Sequence, residues 1–137
     1  MSGASGYELI LKAEEFFGTP YRFGAEVRGA DPPLAFDCSE YVEYICRLCG
    51  IYIPDGSWKQ YGHCKEKGTL ITIDEARSLP GALVFRRDSD SQLIVHVAFT
   101  DGANNTCESR GKEYGTGRWP WRPGWTDAAR IPGVHYK

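Results

Sequence analysis

Apolar positions change their spacing once along the chain. From Tyr7 to Phe17 they recur at helical intervals, with Ile10, Leu11, Phe16 and Phe17 helping to build one stripe. Ser5 and Glu8 form a capping-box pattern ahead of that stripe, and Gly18 suits its end. The segment from Gly18 to Phe36, GTPYRFGAEVRGADPPLAF, is too rich in Gly and Pro for regular structure. Asp37 and Glu40 repeat the capping-box pattern and open a helix predicted over Cys38–Cys49, ending at Gly50. Its inward face reads Val42, Ile45, Cys46 and Cys49, with Tyr41 and Leu48 alongside. Ser57 and Gln60 open a third helix that stops near Gly68.

Beyond Gly68 alternation replaces the helical spacing. ALVFRR, LIVHVAFT and NTCESR read as strands, and RRDSDS and DGANN supply hairpin turns. Shorter strands around GRWPW and AARI complete a sheet. Helices first and antiparallel strands afterwards predict an α+β fold. No repeat, linker or low-complexity tract divides the chain, so residues 1–137 are expected to form one domain.

Composition narrows the class. With 42% hydrophobic and 25% charged residues, the 137-residue chain has the balance of a globular protein. No apolar run approaches the roughly 18 residues of a membrane span, so no membrane partner is expected. Sixteen basic against 18 acidic residues give a net charge of −2, which argues against a nucleic-acid partner. The start, MSGASGYELI, lacks the pattern of a secretory signal. Five cysteines are an odd number, so at least one thiol is expected to be free.

Cys38 carries the first chemical signal. At the first turn of a helix, free backbone N–H groups and the helix dipole favour a thiolate. His96 interrupts the apolar strand LIVHVAF and supplies a base, with Val95, Val97 and Phe99 expected to face away from His96 and Ala98. Glu108, on the following strand, is placed to orient that base. A satisfied core histidine and a surface carboxylate are the alternatives for these two positions. Cys46-x-x-Cys49 lacks a second pair at zinc spacing and lies within a helix, so both residues read as core and no metal is expected. Cys107 is expected to face the core, and His63 and His135 the surface. In GRWPWRPGW, Trp119, Trp121 and Trp125 stand among Arg118 and Arg122. Aromatic faces stack on sugars and arginines fork onto carboxylates, so Arg110, Trp119 and Trp121 are candidate substrate contacts. The alternative is that the tryptophans cover one end of the sheet.

Together GTPYRFG, FDCSEY, LPGALVF and VHVAF resemble, in content and order, the motifs of the NlpC-type cell-wall cysteine peptidases, a papain-like superfamily. The resemblance runs from the first helix to the last strands. It implies a papain-like fold in which N-terminal helices pack on a C-terminal antiparallel sheet, with the nucleophile at a helix start. It implies Cys38 as nucleophile, His96 as general base and acid, and Glu108 as the residue that orients the imidazole. Tyr21, Asp37 and Ser39 match positions that line the substrate site. Tyr21 and the Cys38 N–H are the expected oxyanion donors. Two positions depart from the family pattern: Glu108 stands where histidine is frequent, and Glu40 where glycine is usual, which makes Glu40 a further candidate substrate contact.

The implied substrate is a peptidoglycan stem peptide, cut between D-isoglutamate and diaminopimelate or at a D-alanyl cross-link, with no cofactor. A CHAP-like muramoyl–alanine amidase, a secreted toxin with an immunity protein as partner, and a non-catalytic wall-binding module are the alternatives. The expected setting is the catalytic domain of a phage lysin: a monomer, fused to further wall-binding or catalytic modules. It would be made in the host cytoplasm and released to the wall through a holin.

Overall fold

The computed structural model describes residues 4–27 and 32–136. Helix α1, Gly6–Glu14, begins as its capping box dictates: Ser5 Oγ accepts the Glu8 N–H (3.1 Å) and Glu8 Oε1 accepts the Ser5 N–H (2.7 Å). It ends three residues before Phe17, the expected limit. The backbone there tightens into bonds three residues apart before Gly18 turns the chain at φ 96°. Phe16 is thereby freed from the helix and packs edge-on against Phe36 and Tyr44.

Helix α2, Cys38–Leu48, is capped by Asp37, whose side chain accepts the Glu40 N–H at 2.8 Å. The second half of the predicted box does not form, because Glu40 turns inward to another partner. Helix α3, Ser57–Lys67, is capped by the backbone of Gly56 with no side-chain bond. Gln60, expected with Ser57 at the opening of this helix, is buried and donates to the Ser39 and Pro54 carbonyls at 2.9 and 3.0 Å.

Two elements precede the predicted strands. Strand β1, Thr69–Ile71, and helix α4, Ile73–Arg77, are short, and Thr72 Oγ1 caps the latter by accepting the Glu75 N–H. Strands β2 (Leu83–Arg87), β3 (Ile94–Thr100), β4 (Asn105–Gly111), β5 (Gly115–Pro120) and β6 (Asp127–Arg130) follow. All six strands pair antiparallel in the order β1-β6-β2-β3-β4-β5. The α+β architecture expected from the change of spacing is therefore present.

The sheet separates two cores. Leu83, Phe85, Ile94, Val97, Phe99 and Cys107 face the larger one, where α1, α2 and α3 supply Leu9, Tyr41, Ile45 and Cys64. Val84, Ala98 and Ala128 face a smaller one with Ala76 and Leu79, flanked by Trp121 and Trp125. Gly81 permits the first strand turn to approach α1: a Cβ there would lie 2.4 Å from the Gly6 Cα, and its φ of +83° also favours glycine.

Candidate active site

Cys38 opens α2 and leans on the larger core, with its sulfur accepting a hydrogen bond from the Val97 amide. Helix α2 therefore delivers the thiol to β3 at the residue after His96. Burial pushes this thiol up to about 11, against the pull of the Val97, Ser39 and Cys38 amides. That reverses the expected preference for the thiolate: desolvation outweighs the helix start, and the thiol is protonated at rest. No hydrogen bond joins it to the imidazole among the described residues, an arrangement common in substrate-free sites.

His96 is buried, and its strand is not regular at that point. Arg86 pairs with His96 but Arg87 pairs with Ile94, so Val95 is the extra residue of a bulge. The even alternation expected for Val95, Val97 and Phe99 fails here. Ile94 takes the core face with Val97 and Phe99, and Val95 is 45% exposed. The bulge turns His96 out of the larger core toward the end of the sheet covered by Trp125.

Glu108, on β4, is fully buried (0% exposed), which excludes the surface-carboxylate alternative. Its Oε1 meets His96 Nε2 at 2.7 Å. The same carboxylate accepts the Thr106 hydroxyl and a fork from Arg122, Nη1 to Oε2 at 2.7 Å and Nη2 to Oε1 at 2.8 Å. Burial alone would raise this carboxyl, but the Arg122 and His96 bonds overcome it and hold it down at about 2. Arg122 also lies over the Trp125 ring, 4.9 Å from its centroid, and Trp125 stacks on His96 at 5.8 Å and 22°. The Trp125 indole N–H is buried without a partner among the described residues. The β5–β6 loop thus bears on the histidine twice, indirectly through the Arg122 fork on Glu108 and directly through the Trp125 ring, and the sequence reading assigned neither to this role. The signal was present: a carboxylate expected beside a histidine in a sheet interior needs a cation, and two arginines follow on the next hairpin.

A cleft of about 430 Å³ lies on the outer side of Cys38. Tyr21, Asp37 and Ser39 line it, together with Phe23, Trp58 and Val95. Asp37 is held in place by three donors: the Glu40 amide, the Gly24 amide at 3.2 Å and the Ser39 hydroxyl at 3.2 Å. Burial and the neighbouring Cys38 and Asp37 raise the Tyr21 phenol above its ordinary value, which keeps it a donor.

The other predicted contacts lie elsewhere. Glu40, expected at the substrate, is buried and accepts the Val27 amide at 2.8 Å, so it ties the long loop to α2 instead of lining the cleft. Arg110 is stacked on Tyr114 and Trp119, 4.0 and 5.4 Å from their centroids. Trp121 packs beside the smaller core with Arg77 over its ring. Neither Arg110, Trp119 nor Trp121 lines the cleft, because local cation–π partners occupy them. His63 meets the Tyr52 ring edge-on, where no partner was expected. All five cysteines are free, with Cys46, Cys64 and Cys107 buried. Oxygens of Glu40, Glu43 and Asp55 gather within 4.8 Å of one another, and Glu40 is already committed to the Val27 amide.

A thiol at a helix start, set against an antiparallel strand whose histidine is held by a buried carboxylate, places the chain among the papain-like α+β folds. The model of the NlpC/P60 family matches residues 18–126, and the chain belongs to that family. It is 32% identical over 98 residues to the bifunctional muramidase/DL-endopeptidase CwlT of Bacillus subtilis, covering 70% of this chain and 27% of that protein. It is 27% identical over 106 residues to a gamma-DL-glutamyl hydrolase of the same organism, covering 77% of this chain and 23% of the other. The chain thus spans about a quarter of the length of these curated relatives. A crystal structure of an NlpC/P60 family protein from Bacillus cereus superimposes with a TM-score of 0.78 at 24% identity, over 94% of this chain and 41% of that one.

Proposed function

We propose that this protein is a cysteine peptidase that hydrolyses stem-peptide bonds of peptidoglycan, foremost the bond between D-isoglutamate and diaminopimelate. The observation that carries the reading is the buried His96–Glu108 pair on the strand against which Cys38 packs. The names of the two curated relatives, a DL-endopeptidase and a gamma-DL-glutamyl hydrolase, support the choice of bond.

Glu108 occupies Nε2 of His96, which leaves Nδ1 as the nitrogen that takes a proton. Because the thiol rests protonated, His96 removes its proton as the sulfur attacks the carbonyl carbon. The oxyanion is met by the Cys38 N–H and the Tyr21 hydroxyl. His96 then returns the proton to the departing amine, the C–N bond breaks and an acyl-enzyme remains. Water, deprotonated by His96, opens the thioester and restores the thiol. Glu108 stays ionised throughout and stabilises the imidazolium at each proton transfer.

The test is mass spectrometry of fragments released from diaminopimelate-type peptidoglycan. New termini at the D-isoglutamyl bond, absent with Cys38→Ala, are the expected result. Intact stems released from muramoyl chains move the assignment to an amidase, and wall binding without release moves it to a binding module. The setting proposed with this reading is phage-driven lysis. Co-expression with a holin is expected to lyse a host with this wall type, and expression alone to leave it intact.

A further inference from the structure

We propose that Arg122 is a positioning residue of this site, one that sets the pH at which His96 becomes available as a base by neutralising the carboxylate that holds it. The inference rests on the reading of Cys38 and His96 as nucleophile and base, and goes beyond it by adding a charged group that touches neither the thiol nor the imidazole.

The geometry that carries it is the two-pronged contact. Both Arg122 nitrogens bond to Glu108, at 2.7 and 2.8 Å, and the same two oxygens serve His96 and Thr106. Glu108 is fully buried, so solvent does not screen what it presents to the imidazole. A bare buried carboxylate 2.7 Å from Nε2 stabilises the imidazolium with its full charge, and so competes with transfer of the proton onward. With the guanidinium forked onto both oxygens, His96 faces a neutral pair. The carboxylate still orients the ring and fixes its proton on Nε2, while its pull on the imidazolium is reduced. Orientation and charge are thus separated between two residues.

The other charged groups around His96 do not replace Arg122. Arg86, the cross-strand partner of His96 on β2, is exposed, so solvent screens its charge, and Arg87 is taken by Asp127 at 2.8 Å. From α2, Asp37 is saturated by its three donors and Cys38 is a neutral thiol. From α3, Lys59 lies across the cleft, and Tyr61 packs against Phe85 on the helical side of the sheet. Arg110, farther along β4, is stacked between two rings.

The experiment is the pH dependence of Cys38 alkylation by iodoacetamide on the folded, substrate-free protein, with modified residues located by peptide mass mapping. The part of the rate that is lost in His96→Ala is the part in which the imidazole takes the thiol's proton, and the acid limb of that part reports the histidine. Arg122→Gln is expected to move that limb up by about one pH unit, a tenfold slower reaction on the limb itself. Glu108→Gln is expected to move it down, since the guanidinium then stands alone. The double variant Arg122→Gln/Glu108→Gln returns the limb to the wild-type position, because a neutral pair has been restored. Arg122→Lys retains the charge without the fork, so its limb stays near wild type at a lower rate.

A prop that only holds the loop would slow alkylation at every pH and leave the limb in place, and that result overturns the proposal. So does a shift of both single variants in one direction, or a limb that survives His96→Ala. If Arg122→Gln fails to fold, the Glu108→Gln and Arg122→Lys profiles still decide. The predicted pattern in a protein that releases nothing from peptidoglycan would uphold the role of Arg122 and sink the proposed substrate.

Discussion

Two buried glutamates, Glu108 on β4 and Glu40 on α2, show how differently one side chain behaves at similar depth. Glu108 receives a guanidinium fork, a histidine and a hydroxyl, and is held at about 2. Glu40 receives one backbone amide, shares a side-chain hydrogen bond with Glu43 and has Asp55 close by. Burial pushes its carboxyl up to about 8, further than the Val27 amide can restrain, and the neighbouring carboxylates add to the rise. Depth decides how strongly a charge is felt, and the partners decide whether it is kept. On the strand side the chain maintains a permanent anion to hold a histidine. On the helix side it keeps a protonated acid that fastens a loop.

The largest expected break in that comparison is Glu108→Ala, which strands His96 and leaves Arg122 uncompensated at the edge of the core. A loss of about 3–5 kcal/mol in urea unfolding at neutral pH is expected. Next comes acid. The folded carboxyl of Glu108 lies below its ordinary 4.5, so its stabilisation is complete above that value and lost as pH falls through about 2. Unfolding curves between pH 5 and pH 2 are expected to show a loss approaching about 3 kcal/mol from this group, and Glu108→Gln to flatten that interval.

Glu40 has the opposite sign. Its folded carboxyl lies above its ordinary 4.5, so its contribution is complete below that value and declines as pH rises through about 8. Glu40→Gln, which still accepts the Val27 amide, is expected to match the wild type at pH 4. At pH 9 it should exceed it by about 1 kcal/mol in thermal unfolding. Equal curves at both values would mean that Glu40 is ionised as freely as a surface carboxylate. The smallest effect is Thr106→Val, which removes one of the four bonds to Glu108 while Arg122 and His96 remain. A loss of about 1 kcal/mol with the alkylation profile unmoved is expected.

Much of this site could be read from the chain before its structure was known, and the parts that could not share a cause. The cap of α2, the position of Cys38 on its first turn and the strand carrying His96 follow from spacing within a few residues of one another. So does the hairpin that returns Glu108 to that strand, where Asp101 accepts the Ala103 and Asn105 amides and Asn104 turns at φ 72°. The five-residue α4 escaped because one turn and a half is too short to show a period. The bulge at Val95 escaped because an extra residue in a strand is defined by its partner, and LIVHVAF alternates acceptably on paper.

The amino-acid sequence by itself determined the order of helices and strands, the helix start that presents Cys38, and the strand that offers His96, because capping and alternation are local. Tertiary structure decided the rest. It turned Glu40 away from the cleft and raised the Cys38 thiol by burying it. It also brought Arg122, 14 residues along the chain, onto both oxygens of Glu108. Ionisation and paired contacts depend on what surrounds a group from every side, and only the closed fold supplies those surroundings.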